Sequence, residues 1–124
     1  MPVIHTDQAA VHQMHGTSFT AYASPARGSR ELCAWHIEIP AHTEGVRHRV
    51  SREEVLYVLS GTIRASLDGQ AEDAAAGDVI VVPAGAQFGV DNLAGEPATA
   101  WVTTSVGLLG VLPDGSWISP PWTQ

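Results

Sequence analysis

The sequence predicts an all-β fold, and three observations carry that prediction. Apolar residues recur with a period of two rather than 3.6 over several short segments. Turn punctuation returns at short intervals: Pro25, Arg27-Gly28, Pro40, Gly45, Gly61, Asp68-Gly69, Gly77-Asp78, Pro83, Gly85, Gly95, Pro97 and Asp114-Gly115. No segment carries an apolar helical stripe capped at both ends. Many short strands with regular turns make a sandwich or a barrel.

In chain order, the first clear strand is Leu32–Ile39, with Cys33, Trp35, Ile37 and Ile39 on one face and Ala34, His36 and Glu38 on the other. Pro40 closes it. The segment before it, which holds His12-Gln-Met-His15, is assigned to no element. Residues 55–59 form a short apolar run ended by Ser60-Gly61. Thr62–Leu67 alternates cleanly, with Ile63, Ala65 and Leu67 on the buried side. Asp68-Gly69 follows at once and signals a hairpin, because glycine accepts positive φ. Val79–Val82 is a strand bounded by Gly77-Asp78 and Pro83. Residues 98–106 read as a strand rich in β-branched side chains. The tail places Trp117 and Trp122 around Pro120-Pro121, an aromatic cluster that either serves a partner surface or folds back over its own barrel.

At 124 residues, with 44% hydrophobic and 15% charged residues, the chain is expected to form one globular domain over residues 1–124. The lone Cys33 excludes an internal disulfide. No apolar leader or membrane span is read, so the expected location is cytoplasmic. A net charge of −7 argues against nucleic acid and membrane surfaces as partners. All six cationic residues are arginine, so lysine Schiff-base chemistry is excluded.

Two stretches share one layout. The first runs from Gly45 through His48, Val50 and Glu54 to Gly61, and the second from Gly77 through Pro83, Gly85 and Phe88 to Asn92. Together, over residues 40–92, they resemble the paired signature of the cupin superfamily, in the small single-domain form with a type-2 barrel. That family reads Gly-x5-His-x-His-x3,4-Glu-x6-Gly and then Gly-x5-Pro-x-Gly-x2-His-x3-Asn. The resemblance implies a double-stranded β-helix, the cupin jelly-roll barrel, and a metal held by three histidines and a glutamate. His48 matches the first histidine and Glu54 the glutamate. Val50 and Phe88 stand where the other two histidines would be, and neither can ligate. No histidine follows His48 that could compensate.

The resemblance implies a divalent metal ion as the cofactor. The ligands here would be His48 and Glu54, completed by His42 or water. Two protein ligands would retain roughly half of the ~10–16 kcal/mol of a full structural zinc site. Without metal, the expectation is a His48–Glu54 hydrogen bond or ion pair inside the barrel, able to act as general acid and base. Val50 and Phe88 make the deep cavity apolar, and strand parity adds Leu56 and Val90 to the lining. Arg47 and Arg49 face away from His48, to pair with Glu44, Glu53 or a partner subunit.

Three functional readings follow. One is a metal-poor or metal-free isomerase or cyclase type of enzyme using His48 and Glu54. The second is a non-catalytic module that binds or senses a small molecule, and a cupin that binds a divalent metal weakly stands as a separate alternative. The third is a closed structural barrel. The resemblance further implies a homodimer, while no DNA-binding segment is read.

Overall fold

The structure is a computed structural model that describes residues 3–124; Met1 and Pro2, which the expected single domain includes, lie outside the described residues. Twelve strands form two six-stranded antiparallel sheets, a jelly roll. In chain order they are β1 (Ala10–Met14), β2 (Thr17–Ala23), β3 (Leu32–Ile39), β4 (His48–Val50), β5 (Glu54–Ser60) and β6 (Thr62–Leu67). Then come β7 (Gln70–Ala75), β8 (Val79–Val82), β9 (Gln87–Asp91), β10 (Ala98–Ser105), β11 (Gly110–Val111) and β12 (Trp117–Ile118). The first sheet runs β1-β2-β3-β10-β5-β8 and the second β12-β11-β4-β9-β6-β7. The helical elements are three-residue 3-10 turns. No helix among the described residues is long and apolar enough to cross a membrane.

Alternation builds the core. Cys33, Trp35, Ile37 and Ile39 of β3 are all buried, as are Leu56 and Val58 of β5 and Ala98, Ala100 and Val102 of β10. Ile63 and Ala65 of β6 close on them from the facing sheet, with Val82 at the far edge. In β3, β5 and β10 each inward side chain is separated from the next by a more exposed one, so these strands give the interior one face.

The segment left unassigned between residues 10 and 23 forms the β1–β2 hairpin at the edge of the first sheet. Its tip is His15-Gly16, with φ of 52° and 81°. The expected Asp68-Gly69 turn is present, joining β6 to β7 with φ of 49° and 84°. Two consecutive positive φ values match the right-handed twist of the flanking strands, which is why both hairpins close in two residues.

The two tryptophans of the tail part company. Trp122 folds back and stacks on Phe19 at 3.8 Å between ring centroids, whereas Trp117 is 67% exposed. Asn92 pins the barrel. Its amide nitrogen donates to the carbonyls of Ile39 (3.0 Å) and Glu96 (2.7 Å), and its oxygen accepts from the Ala94 N–H (3.1 Å).

Candidate functional site

Between the two sheets lies a cavity of about 140 Å³. Its wall is mostly apolar: Trp35 and Ile37 from β3, Leu56 from β5, Val102 from β10, and Leu108 and Ile118 near the C-terminus. Trp122 and Phe19 complete the side where the tail folds back. The titratable side chains in the wall are His15, His48 and Glu54.

Arg47 and Arg49 flank His48 and are engaged away from it. Arg47 makes a two-pronged contact with Asp91 at 3.0 and 3.2 Å, and Arg49 donates to the Gly85 carbonyl at 2.7 Å. The acidic partner of Arg47 is thus Asp91, not the expected Glu44 or Glu53. The geometry decides it: Asp91 closes β9 beside β4, and it also accepts the Gly45 N–H at 2.8 Å. The Arg47 hydrogen bonds hold the Asp91 carboxyl below its ordinary range.

His48 faces the cavity between those arginines. Its Nδ1 lies 2.9 Å from the Val46 carbonyl oxygen. A carbonyl only accepts, so Nδ1 carries the proton and Nε2 carries the lone pair. Burial lowers the His48 pKa below its ordinary value; the Val46 bond works against that, and His15 adds to the lowering. The ring is therefore neutral at neutral pH.

Glu54 opens β5 and is 6% exposed. Burial alone pushes its carboxyl up to about 7. The expected His48–Glu54 hydrogen bond or ion pair is not formed. Burial is the sole influence on Glu54, and Glu54 is absent from the influences on His48. The physical reason is that the Nδ1–H of His48 is committed to its own strand's backbone, and the two side chains stand on β4 and β5, which belong to different sheets. They share a cavity rather than a bond.

The apolar positions divide. Val50, Leu56 and Val90 line the cavity. Phe88 does not: it sits directly across from His48 in the β4–β9 register and presents its ring to the imidazole in an edge-on contact at 5.5 Å. It backs the histidine rather than facing the space.

His42 is a correction of a different kind. The family pattern puts five residues between its glycine and its first histidine, and in this chain that places His42, six positions before His48, at the glycine position rather than Gly45. His42 takes the left-handed conformation that this glycine position calls for, with φ of 56°. It is exposed, its N–H bonds the Ala94 carbonyl, and it lies outside the cavity wall. Gly45 is glycine for another reason: a Cβ there would stand 2.1 Å from the Val90 carbonyl oxygen.

These positions test the fit of a metal. Two of the four family ligand positions are the buried apolar side chains Val50 and Phe88, each 3% exposed. His42 is elsewhere. Among the described residues no three His, Cys, Asp or Glu side chains group closely enough to hold an ion. The donor set does not fit the family's metal.

Several members of the site carry no sequence signal of their own. His15 and Thr17 reach the wall from the β1–β2 hairpin, and Trp122 reaches it from the chain's far end. The indole N–H groups of Trp35 and Trp122 are buried without an acceptor.

The family model for the cupin domain matches residues 35–105. The chain belongs to the cupin family. Cupins often bind metals, which makes the altered donor set of this cupin its distinguishing mark. Solved structures share the fold at low identity. The polyketide cyclase RemF from Streptomyces resistomycificus is 19% identical with a TM-score of 0.76, over 85% of this chain and 79% of that one. An RmlC-like cupin from Shewanella frigidimarina is 22% identical with a TM-score of 0.69, over 82% and 86%. Pac13, a nucleoside dehydratase of Streptomyces, is 17% identical with a TM-score of 0.69, over 83% and 80%. No curated protein matches the chain.

Proposed function

We propose that this cupin is an acid–base enzyme that needs no metal and acts on a small, largely apolar molecule in the cavity. One observation carries the reading: a neutral imidazole with its Nε2 lone pair free shares an apolar cavity with a carboxyl poised near pH 7. A base and an acid with proton affinities close to the working pH are what general acid–base catalysis requires. His48 would take a proton from carbon beside a carbonyl, while the Glu54 carboxylic acid gives its proton to the carbonyl oxygen. Returning a proton to another carbon completes an isomerisation. Losing a hydroxyl group as water completes a dehydration, and attack on a second carbonyl completes a cyclisation. The cyclase and dehydratase of the same fold make the last two classes natural candidates.

Volume limits the substrate. An apolar cavity of ~150 Å³ accepts a molecule of benzene size, and the space here is about 140 Å³. The test is exchange of carbon-bound protons in D2O, followed by NMR over a panel of small cyclic ketones. The protein is expected to accelerate exchange above buffer, and His48→Ala to return it to background, a loss of roughly 10²–10⁴. Exchange at the buffer rate throughout the panel, with ligands bound, leaves the alternative of a binding or sensing module.

A further inference from the structure

The three titratable groups of the cavity differ in exposure. His15 is exposed, His48 is half-buried and Glu54 is buried. They mark the way in from water. Leu112 and Pro120 contribute to the same wall, and it contains no arginine or aspartate. An incoming molecule therefore meets His15 first, with Thr17 beside it on the same hairpin.

His15 holds its place at a conformational cost. Its φ of 52° lies in the left-handed region, where a residue with a Cβ is disfavoured and where glycine or asparagine is the ordinary occupant of a two-residue hairpin. Gly16 follows with φ of 81°. The turn would close as well with glycine at both positions, so turn geometry does not explain the imidazole. Its position does: the ring lines the same cavity as His48.

We propose that His15 is the specificity residue of the cavity, and that its imidazole N–H, with the Thr17 hydroxyl, binds the carboxylate of a small carboxylic acid. This assignment rests on the cavity being a small-molecule site. The apolar body of the acid lies against Trp35, Leu56 and Val102. A carboxylate belongs at the exposed end because it keeps part of its hydration there, whereas beside Glu54 it would be stripped of water next to a second carboxyl. His48 Nδ1 is already bonded to Val46 and its Nε2 only accepts when neutral, so His48 does not compete for the anion. It stays free for the substrate's carbon-bound proton.

The test uses the full chain and matched single-ring probes: benzoate, benzamide and benzyl alcohol. Binding is read by calorimetry and by the fluorescence of Trp35 and Trp122, which form part of the wall. The wild-type chain is expected to bind benzoate about tenfold tighter than either neutral probe, the size of one hydrogen bond to a charged group. His15→Gly suits the turn and is expected to erase that preference while keeping benzamide within about twofold. Thr17→Val is expected to reduce the preference in part. Equal binding of the three probes by the wild-type chain, or an undiminished benzoate preference in His15→Gly, overturns the assignment and leaves the cavity reading intact. If none of the rings binds, the cavity reading itself fails and the assignment falls with it.

Discussion

Replacing Glu54 with glutamine removes one ionisable group from a buried place and leaves its shape. The effect depends on pH with a definite sign. Burial raises the folded-state pKa of Glu54 from 4.5 to about 7. Between those values the unfolded chain releases the proton while the folded chain keeps it. Stability contributed by the protonated carboxyl is therefore whole below pH 4.5, falls as pH rises, and is lost by about pH 7. A gap of about 2.5 pH units at 1.36 kcal/mol each amounts to about 3 kcal/mol. Glu54→Gln is neutral at every pH and escapes that loss. Urea unfolding of both proteins is expected to give similar free energies at pH 4.5, and an advantage for the variant of about 3 kcal/mol at pH 8. In a thermal melt the pH 8 difference is about 10 °C for a chain of this size. Other acids, such as Asp91 held low by Arg47, titrate in both proteins and cancel. A difference that does not change between pH 4.5 and 8 would refute the reasoning. It would mean that a cation, with His48 and His15 the candidates in the cavity, compensates the Glu54 charge.

Two further changes probe the frame and the donor set. Asn92→Ala orphans two carbonyls and one N–H at a fully buried position and is expected to cost about 2–4 kcal/mol in chemical denaturation; a loss below about 1 kcal/mol would deny Asn92 its pinning role. The double variant Val50→His, Phe88→His restores the two imidazoles missing from the family pattern, and after dialysis against zinc it is expected to retain one ion per chain where the parent retains much less; equal retention by both would show that these positions do not decide metal binding.

What was legible in the sequence follows from how local its cause is. Strands β3, β6 and β8 were readable to the residue because alternation is a local property of a half-buried strand. β7, Gln-Ala-Glu-Asp-Ala-Ala, has one buried side chain, Ala74, and no β-branched residue. It is a strand because the Asp68-Gly69 turn folds it onto β6. The same holds for β1, which pairs through the His15-Gly16 turn. In the site, the signature spacing located His48, Glu54 and Val50, and strand parity added Leu56 and Val90. The signature placed Phe88 on the inner face as well, but which inward side chain borders the open space depends on how the rings pack, and Phe88 packs on His48. His15 and Trp122 arrive from opposite ends of the chain through pairings with no short-range signature. His42 was misread because its residue type suggested a ligand, while its position demanded a left-handed backbone.

The two departures from the family pattern and the proton affinity of Glu54 are one physical fact. A carboxylate inside a barrel is tolerable when a cation faces it, and a bound metal or an imidazolium would keep it ionised. Val50 and Phe88 put hydrocarbon where imidazoles would be. Arg47, the residue before His48, is spent on Asp91. With no cation engaging it, the only force left on Glu54 is burial, and burial alone moves its carboxyl to about 7. The substitutions that remove the metal shell therefore turn the remaining glutamate into an acid that can give up its proton at neutral pH. Val50, one of the two side chains that replace imidazoles, also walls the space where an apolar substrate would receive that proton.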